Sequence, residues 1–239
     1  VSNREQAKDT RRRRIVRAAR TLVQKTGDTG FSMRALAEQA GVSIATPYNL
    51  FGSKQTVMFA VLDADLEAYQ TRLAKLRADE LDVFFKAVSL ATKLYSTEPS
   101  FYRAVLFAVY NDGGREFRSM FGGPRHAMWK GLVQDAINAG LLSDEVEPDA
   151  FAINLGRTFF SAILEWVSGE LSLPELEAWA HYGFALSLAS MATPASADRL
   201  HDKVIAQQVR LQKLWKTKRG AQTRAAKMQA ATRKLEKRR

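Results

Sequence analysis

Residues 31–55 read FSMRALAEQAGVSIATPYNLFGSKQ, and their reading decides the fold. Two short helical patterns meet at the AGVS step. Met33–Ala40 turns Leu36, Ala37 and Ala40 inward, and Ile44–Phe51 is anchored by Tyr48 and Phe51. Gly41 stands where a helix ends and a positive φ is favoured. Ser43 has the chemistry of a cap, because a serine hydroxyl accepts from the free N–H groups of a first helical turn. Two helices joined by a tight turn form a helix-turn-helix, whose second helix enters the DNA major groove.

Pro47 is the discordant residue. With Ser43 as cap, it occupies the fourth helical position, forfeits the first intrahelical bond and crowds the Ser43 carbonyl. With Thr46 as cap, it becomes a comfortable first residue of a very short helix. The first placement is preferred, because it keeps Tyr48 and Phe51 inward, and it predicts a loosened, 3₁₀-like opening turn.

Working outward, Thr10–Thr26 places Ile15, Ala18, Ala19, Leu22 and Val23 at helical spacing. Its arginines, Arg11–Arg14 with Arg17 and Arg20, form either a solvated face or a set that reaches flanking phosphates. GDTG at 27–30 returns the chain to Phe31, a core plug for a three-helix unit. Ser32 caps the next helix, donates to a phosphate, or does both. Arg34 divides evenly between DNA contact and solvation. The exposed set of the second helix, beside Ser43, is Ile44, Ala45, Thr46 and Asn49. Thr46 and Asn49 have hydrogen-bonding groups for bases or phosphates, and Ile44 and Ala45 suit thymine methyls. Tyr48 either packs its ring while offering its hydroxyl to a phosphate, or is simply buried. Ser53 caps a third element. Lys54 sits at that helix N-terminus, where a cation is disfavoured unless a phosphate is held there too.

The charge distribution bears independently on this stretch. The net charge is +11, but residues 1–60 carry eleven Lys/Arg against four Asp/Glu, residues 61–197 eleven against eighteen, and residues 198–239 fourteen against three. A basic first segment is the electrostatic footprint of phosphate attraction, and an acidic middle is expected to stand away from the DNA backbone.

Composition narrows the alternatives. With no cysteine, thiol chemistry and thiolate metal sites are excluded. His126, His181 and His201 lack ligand spacing, so no metal is expected. No apolar run is long enough to span a membrane, and the first residues are polar and arginine-rich, so a cytoplasmic protein is expected. No nucleophile–histidine pattern, H-E-x-x-H or phosphate-cradling glycine loop is present. Neither catalysis nor a cofactor is expected.

The rest of the chain reads as all-α. Helical patterns cover 54–77, 80–96 and 99–109. NDGG at 111–114 predicts a break, then a brief helix over 115–120, a second break at FGGP 121–124, and helices over 125–139, 148–168 and 174–192. That makes about nine helices before residue 195. In the tail, Leu200, Val204, Leu211 and Trp215 suggest one more docked helix. Beyond Lys216 the basic, anchor-poor composition is expected to be a disordered solubilising tail or a source of salt-sensitive DNA affinity.

The segment RIVRAARTLVQKTGDTGFSMRALAEQAGVSIATPYNLFGSKQTVMFAVL resembles the N-terminal domain of the tetracycline-repressor (TetR/AcrR) family of bacterial regulators. The shared features are an aromatic before the first motif helix, A-x-x-A-G-V-S, a tyrosine and a phenylalanine three apart, then G-S-K and an apolar helix. Over about residues 11–62 the resemblance implies that Ser32, Arg34, Ile44, Ala45, Thr46, Tyr48, Asn49 and Lys54 face DNA. Pro47 stands where the pattern usually has an aliphatic residue, and Asn49 and Leu50 replace frequent basic or histidine residues.

For the remainder, the resemblance implies a helical ligand-binding and dimerisation domain. It divides the chain into a DNA-binding domain at 10–56, a ligand and dimer domain at 57–195, and a basic extension at 196–239. The dimer would form through 149–168 and 174–192, with Phe151, Leu155, Phe159, Trp179, Phe184 and Leu188 as interface candidates. Candidate pocket residues are Phe84, Tyr95, Phe101, Tyr102, Phe107, Tyr110, Phe121 and Trp129, with Phe85 and Phe117 nearby, and they suit an apolar or aromatic effector. The expected function is a homodimeric repressor of double-stranded DNA released by a small molecule. The alternative is a DNA-binding activator or architectural protein without an effector.

Overall fold

The computed structural model describes the backbone of residues 3–76 and 78–236, and their side chains apart from 109–122, 124 and 220–236. Among the described residues the chain forms nine α-helices and no strand: α1 (Asn3–Thr26), α2 (Met33–Ala40), α3 (Ala45–Phe51), α4 (Lys54–Ala74), α5 (Asp82–Thr97), α6 (Pro99–Asn138), α7 (Pro148–Val167), α8 (Leu173–Ser190) and α9 (Ala197–Glu236). The first three make a small head around Ile15, Ala19, Val23, Phe31, Leu36 and Phe51. The others form a larger helical body.

α4 belongs to both parts. Its buried stripe Val57, Met58, Val61, Leu62, Leu66, Tyr69 and Leu73 packs on α1 at one end and on α5 and α6 further along. The body is built around α5, α6, α7 and α8. Trp129 of α6 stands edge-on to Phe184 of α8 at 5.1 Å, and Tyr95 of α5 stacks on Trp166 of α7 at 5.5 Å. Ser172 and Glu175 form a reciprocal capping box at the start of α8. The short 168–172 turn makes α7 and α8 an antiparallel hairpin. Gly183 permits their close approach, since a Cβ there would lie 2.5 Å from Thr158 Cγ2.

Two expectations about the elements fail. The breaks at NDGG and FGGP do not occur, because α6 runs from Pro99 to Asn138 as one helix, in place of three. Each glycine costs a helix about 1 kcal/mol and an interior proline about 3. Local propensity is overridden where both ends are fixed by packing, here Phe101, Tyr102, Val105 and Leu106 at one end and Trp129, Val133 and Ala136 at the other. The tail is likewise helical to Glu236. Its first half is docked by Leu200 and Leu211, and by ion pairs from Arg199 and Lys203 to Asp82, Arg210 to Glu177 and Lys218 to Glu175.

The interface candidates also divide. Leu155, Phe184 and Leu188 are each 0% exposed and belong to the core of the single chain. Phe151, Phe159 and Trp179 are half-buried. The outward residues of this hairpin are Ile153 and Leu186, together with a shallow groove along Thr158, Ser161, Glu165, Trp179, Tyr182 and Leu186. Apolar spacing alone does not tell which side of a two-sided amphipathic helix meets its own core.

A buried polar knot joins α5, α8 and α9. His181 Nε2 lies 2.9 Å from the Phe85 carbonyl oxygen and 3.3 Å from Ser89 Oγ, and that hydroxyl donates to Glu177. Burial lowers the His181 pKa from its ordinary 6.5, although Glu177 opposes the shift, and Arg210 and Lys203 lower it further. The unfolded chain therefore binds the proton more readily. The contribution of His181 to stability is complete above the ordinary value and is lost as pH falls below it. Denaturation midpoints are expected to decline from pH 7 toward pH 5.5, with that decline absent in His181→Gln. An equal slope in both proteins would refute it.

Candidate nucleic-acid interface and ligand cavity

The head is assembled by its caps. Ser32 Oγ accepts from the Ala35 N–H at 3.1 Å at the start of α2. Gly41 ends that helix at φ 58°, with its N–H on the Glu38 carbonyl and the Val42 N–H on that of Ala37. Ser53 caps α4 through Thr56 N–H.

The reading helix begins one residue later than expected. Ile44, not Ser43, occupies the cap position of α3, without a side-chain bond. Ser43 Oγ instead shares a hydrogen bond with Thr46 Oγ1 at 2.9 Å, and the Thr46 N–H closes a tight turn onto the Ser43 carbonyl. Pro47 becomes the third helical residue. Its missing N–H is one that a first turn leaves without an intrahelical acceptor, so no bond is lost. Its ring is buried beside Phe51 on the inward side.

This shift turns Tyr48 outward. Tyr48 is 52% exposed and Ile44 53%, correcting the expectation that Tyr48 anchors the core. Ile44, Ala45, Tyr48 and Asn49 are all exposed and share one side of α3, while Thr46 is half-buried. A branched aliphatic, a methyl, a phenol and an amide on one turn-and-a-half of helix offer base-edge and phosphate chemistry together. Ser32, Arg34 and Ser43 are exposed nearby in sequence.

Several cations serve the head itself. Arg14 Nε donates to the Ala40 carbonyl at 2.7 Å and its Nη2 to that of Gly41, neutralising the C-terminal end of α2. Arg12 donates to the Leu50 carbonyl at 3.1 Å and covers the Phe51 ring at 4.3 Å. Lys54 donates to the Thr29 carbonyl at 2.8 Å and stands 5.7 Å from the Phe31 ring, so it fastens the 27–30 loop to α4. Arg11, Arg13 and Arg17 remain exposed on α1. Sequence reasoning treated these arginines as one set. Which of them meet carbonyls depends on where α2 and α3 end in space.

Arg20 joins head to body. Its guanidinium bonds both Asp65 oxygens at 2.8 Å and Glu98 at 3.0 Å, and lies 4.4 Å over the Phe101 ring. Tyr102 donates to Asp65 at 3.0 Å.

Asp65 and Tyr102 also line a cavity of about 50 Å³ between α4, α5, α6 and α7, with Leu62, Leu66, Tyr69, Ala91, Leu94, Tyr95, Leu106, Arg125, Met128, Trp129 and Phe159. Of the expected pocket residues, Tyr95, Tyr102 and Trp129 lie on its wall. Phe84 and Phe85 are packed into the core instead, Phe84 against Trp129, and Phe101 lies under Arg20. Phe107 is 53% exposed, and the side chains of Tyr110, Phe117 and Phe121 lie outside the described residues. Phe159, expected at a dimer interface, faces the cavity. The polar members Asp65, Tyr69 and Arg125 carried no sequence signal, since each sits singly in an otherwise apolar or solvated pattern. Burial raises the pKa of Tyr69, Tyr95 and Tyr102, which keeps their hydroxyls protonated.

No helix among the described residues is long and apolar enough to cross a membrane. Residues 15–61 match the model of bacterial regulatory proteins, tetR family. No curated protein matches the chain by sequence. In structure the chain is similar to a TetR transcriptional regulator from Rhodococcus sp. RHA1, at 22% identity over 77% of this chain and 97% of that one, with a TM-score of 0.63. It is also similar to the TetR-family repressor FadR of Thermus thermophilus in complex with lauroyl-CoA, at 19% identity over 76% and 95%, with a TM-score of 0.65. A third is RolR in complex with resorcinol, at 15% identity over 84% and 95%, with a TM-score of 0.65. At these identities the likeness is one of fold. Residues 15–61 thus carry the sequence pattern of the tetR family of bacterial regulatory proteins, on a helix-turn-helix head followed by a helical body.

Proposed function

We propose that this protein is a cytoplasmic, homodimeric repressor that reads a palindromic operator and releases it when a small apolar or aromatic molecule binds the body. Residues 10–56 act as the reading head, 57–195 as the effector and dimer domain, and 196–239 as an extension. The carrying observation is the outward side of α3, where Ile44, Ala45, Tyr48 and Asn49 stand free while Arg12 and Arg14 hold the helix ends from behind. Two such heads, related by the two-fold of an α7/α8 dimer, fit half-sites about one DNA turn or somewhat more apart.

The size of the cavity supports a route for release. At about 50 Å³ it is far below the roughly 300–1,000 Å³ that drug-sized ligands fill, so an effector must displace its walls. One wall is α4, which follows the reading helix directly, and Asp65 on that wall also grips Arg20 of α1. An effector that prefers the displaced state moves the head, whereas equal affinity for both states would shift nothing. Three buried tyrosines and a carboxylate converging on one cavity favour this reading over an architectural protein without an effector. The ligands held by RolR and FadR, resorcinol and lauroyl-CoA, are an aromatic and an acyl compound, and support the same class.

Selection of bound duplexes from a random pool tests the reading. A palindromic consensus is expected, bound by two chains. Asn49→Ala is expected to cost roughly 10-fold or more in affinity and to relax one position of each half-site, at about 1–3 kcal/mol per bidentate base contact. Enrichment of no sequence at moderate salt would sink the proposal.

A further inference from the structure

The course of α9 supplies an observation that composition alone does not. α5 runs toward the head, because the chain reaches its N-terminus from the far end of α4, while Glu98, just past its C-terminus, holds Arg20 of α1 at 3.0 Å. α9 starts beside the N-terminus of α5, where Arg199 and Lys203 pair with Asp82. It then passes Glu177 at Arg210, and reaches the start of α8 at Lys218, which pairs with Glu175 and donates to the Glu170 carbonyl at 3.0 Å. It is therefore antiparallel to α8 and runs toward the head. From Arg199 to Lys218 it advances about 28 Å, and the whole of α5 spans about 24 Å. Lys218 is thus level with the junction between body and head.

The helix does not stop there. It continues to Glu236, about 27 Å further at 1.5 Å per residue. That distance is comparable to the depth of a three-helix head. Residues 216–239 hold ten Lys/Arg and one acidic residue, Glu236.

We infer that the distal half of α9 is a second DNA-contacting element, which lies along phosphates flanking the half-site and adds affinity without sequence preference. This rests on the proposed DNA-binding function. The acidic body stands between the two basic regions, and a helix that carries its charge past that body places it where phosphate contact is favourable.

The test measures duplex affinity against salt for the full-length chain and for a full-length variant with Arg224, Lys227, Arg233 and Lys234 each changed to Gln. Unfolding curves are expected to match, because the docked half of α9 is untouched. The variant is expected to bind roughly 10- to 100-fold more weakly at about 0.1 M salt. Its log–log salt slope should be smaller by about 3.6 per chain, at about 0.9 for each of four phosphates, with the selected operator consensus unchanged. An unchanged slope in a variant that still selects the operator overturns the inference and leaves the proposed function standing. Binding of no duplex by the native chain overturns both. Loss of binding to phosphatidylserine vesicles with duplex affinity intact would assign the helix to a lipid surface, and also overturns it.

Discussion

Phe184→Ala is expected to lose about 3–5 kcal/mol of folding stability, the range for removing a buried phenylalanine ring. Phe184 is fully buried between Trp129, 5.1 Å away and edge-on, and Phe159 at 6.5 Å. The cavity left would be lined by rigid rings from α6 and α7, which collapse poorly into it, so the upper part of the range applies. The counterpart is Leu186→Asp, two residues on and 45% exposed. It sits on the outward side of α8, and the expected result is a monomer with a folded far-ultraviolet spectrum. The pair separates core from interface on one helix: denaturation should register the first, and sedimentation velocity the second. If Phe184→Ala dissociates the protein without unfolding it, the assignment of this residue to the core is wrong.

Arg20→Met is expected to cost about 2–3 kcal/mol, less than the roughly 3–5 of a fully buried pair. Asp65 and Arg20 keep 21% and 28% of their side chains exposed, so solvent screens part of the loss. The substitution keeps an apolar stem over Phe101 but strips Asp65 and Glu98 of their shared guanidinium. The larger consequence concerns regulation. Asp65 and Tyr102 touch both the cavity and Arg20, so removing Arg20 severs the bonded connection from cavity wall to head. Operator affinity is expected to persist while effector-dependent release weakens at least 10-fold. Affinity measurements with and without effector check this, and a variant that releases DNA as the native protein does would eliminate Arg20 from the coupling.

How much of this was legible in the sequence follows from the range of the forces involved. The helix-turn-helix was legible because its determinants lie within a few residues of each other. Ser32 and Ser53 cap where a hydroxyl meets the next free N–H groups, and Gly41 takes the left-handed conformation that a side chain resists. The phase of α3 was not. A one-residue shift of its cap to Ile44 moved Pro47 inward and Tyr48 outward, and local rules allowed both arrangements. The helical class, the basic head and the acidic middle likewise came from the sequence alone, being sums over many residues in which single errors cancel.

The tertiary structure decided what depends on distant partners. It carried α6 through the glycines and proline, because packing at both ends outweighs propensity in between. It turned Arg12, Arg14 and Lys54 onto backbone carbonyls, and it chose which side of α7 and α8 is core. It brought Asp65, Tyr102 and Arg20, from three separate helices, to one point between cavity and head. Caps and helical periods are encoded within about one helical turn, so the sequence determined the elements apart from the unbroken course of α6 and the far half of α9. The meeting of side chains 37 to 82 positions apart is set by how whole helices pack, and only the folded chain decides it.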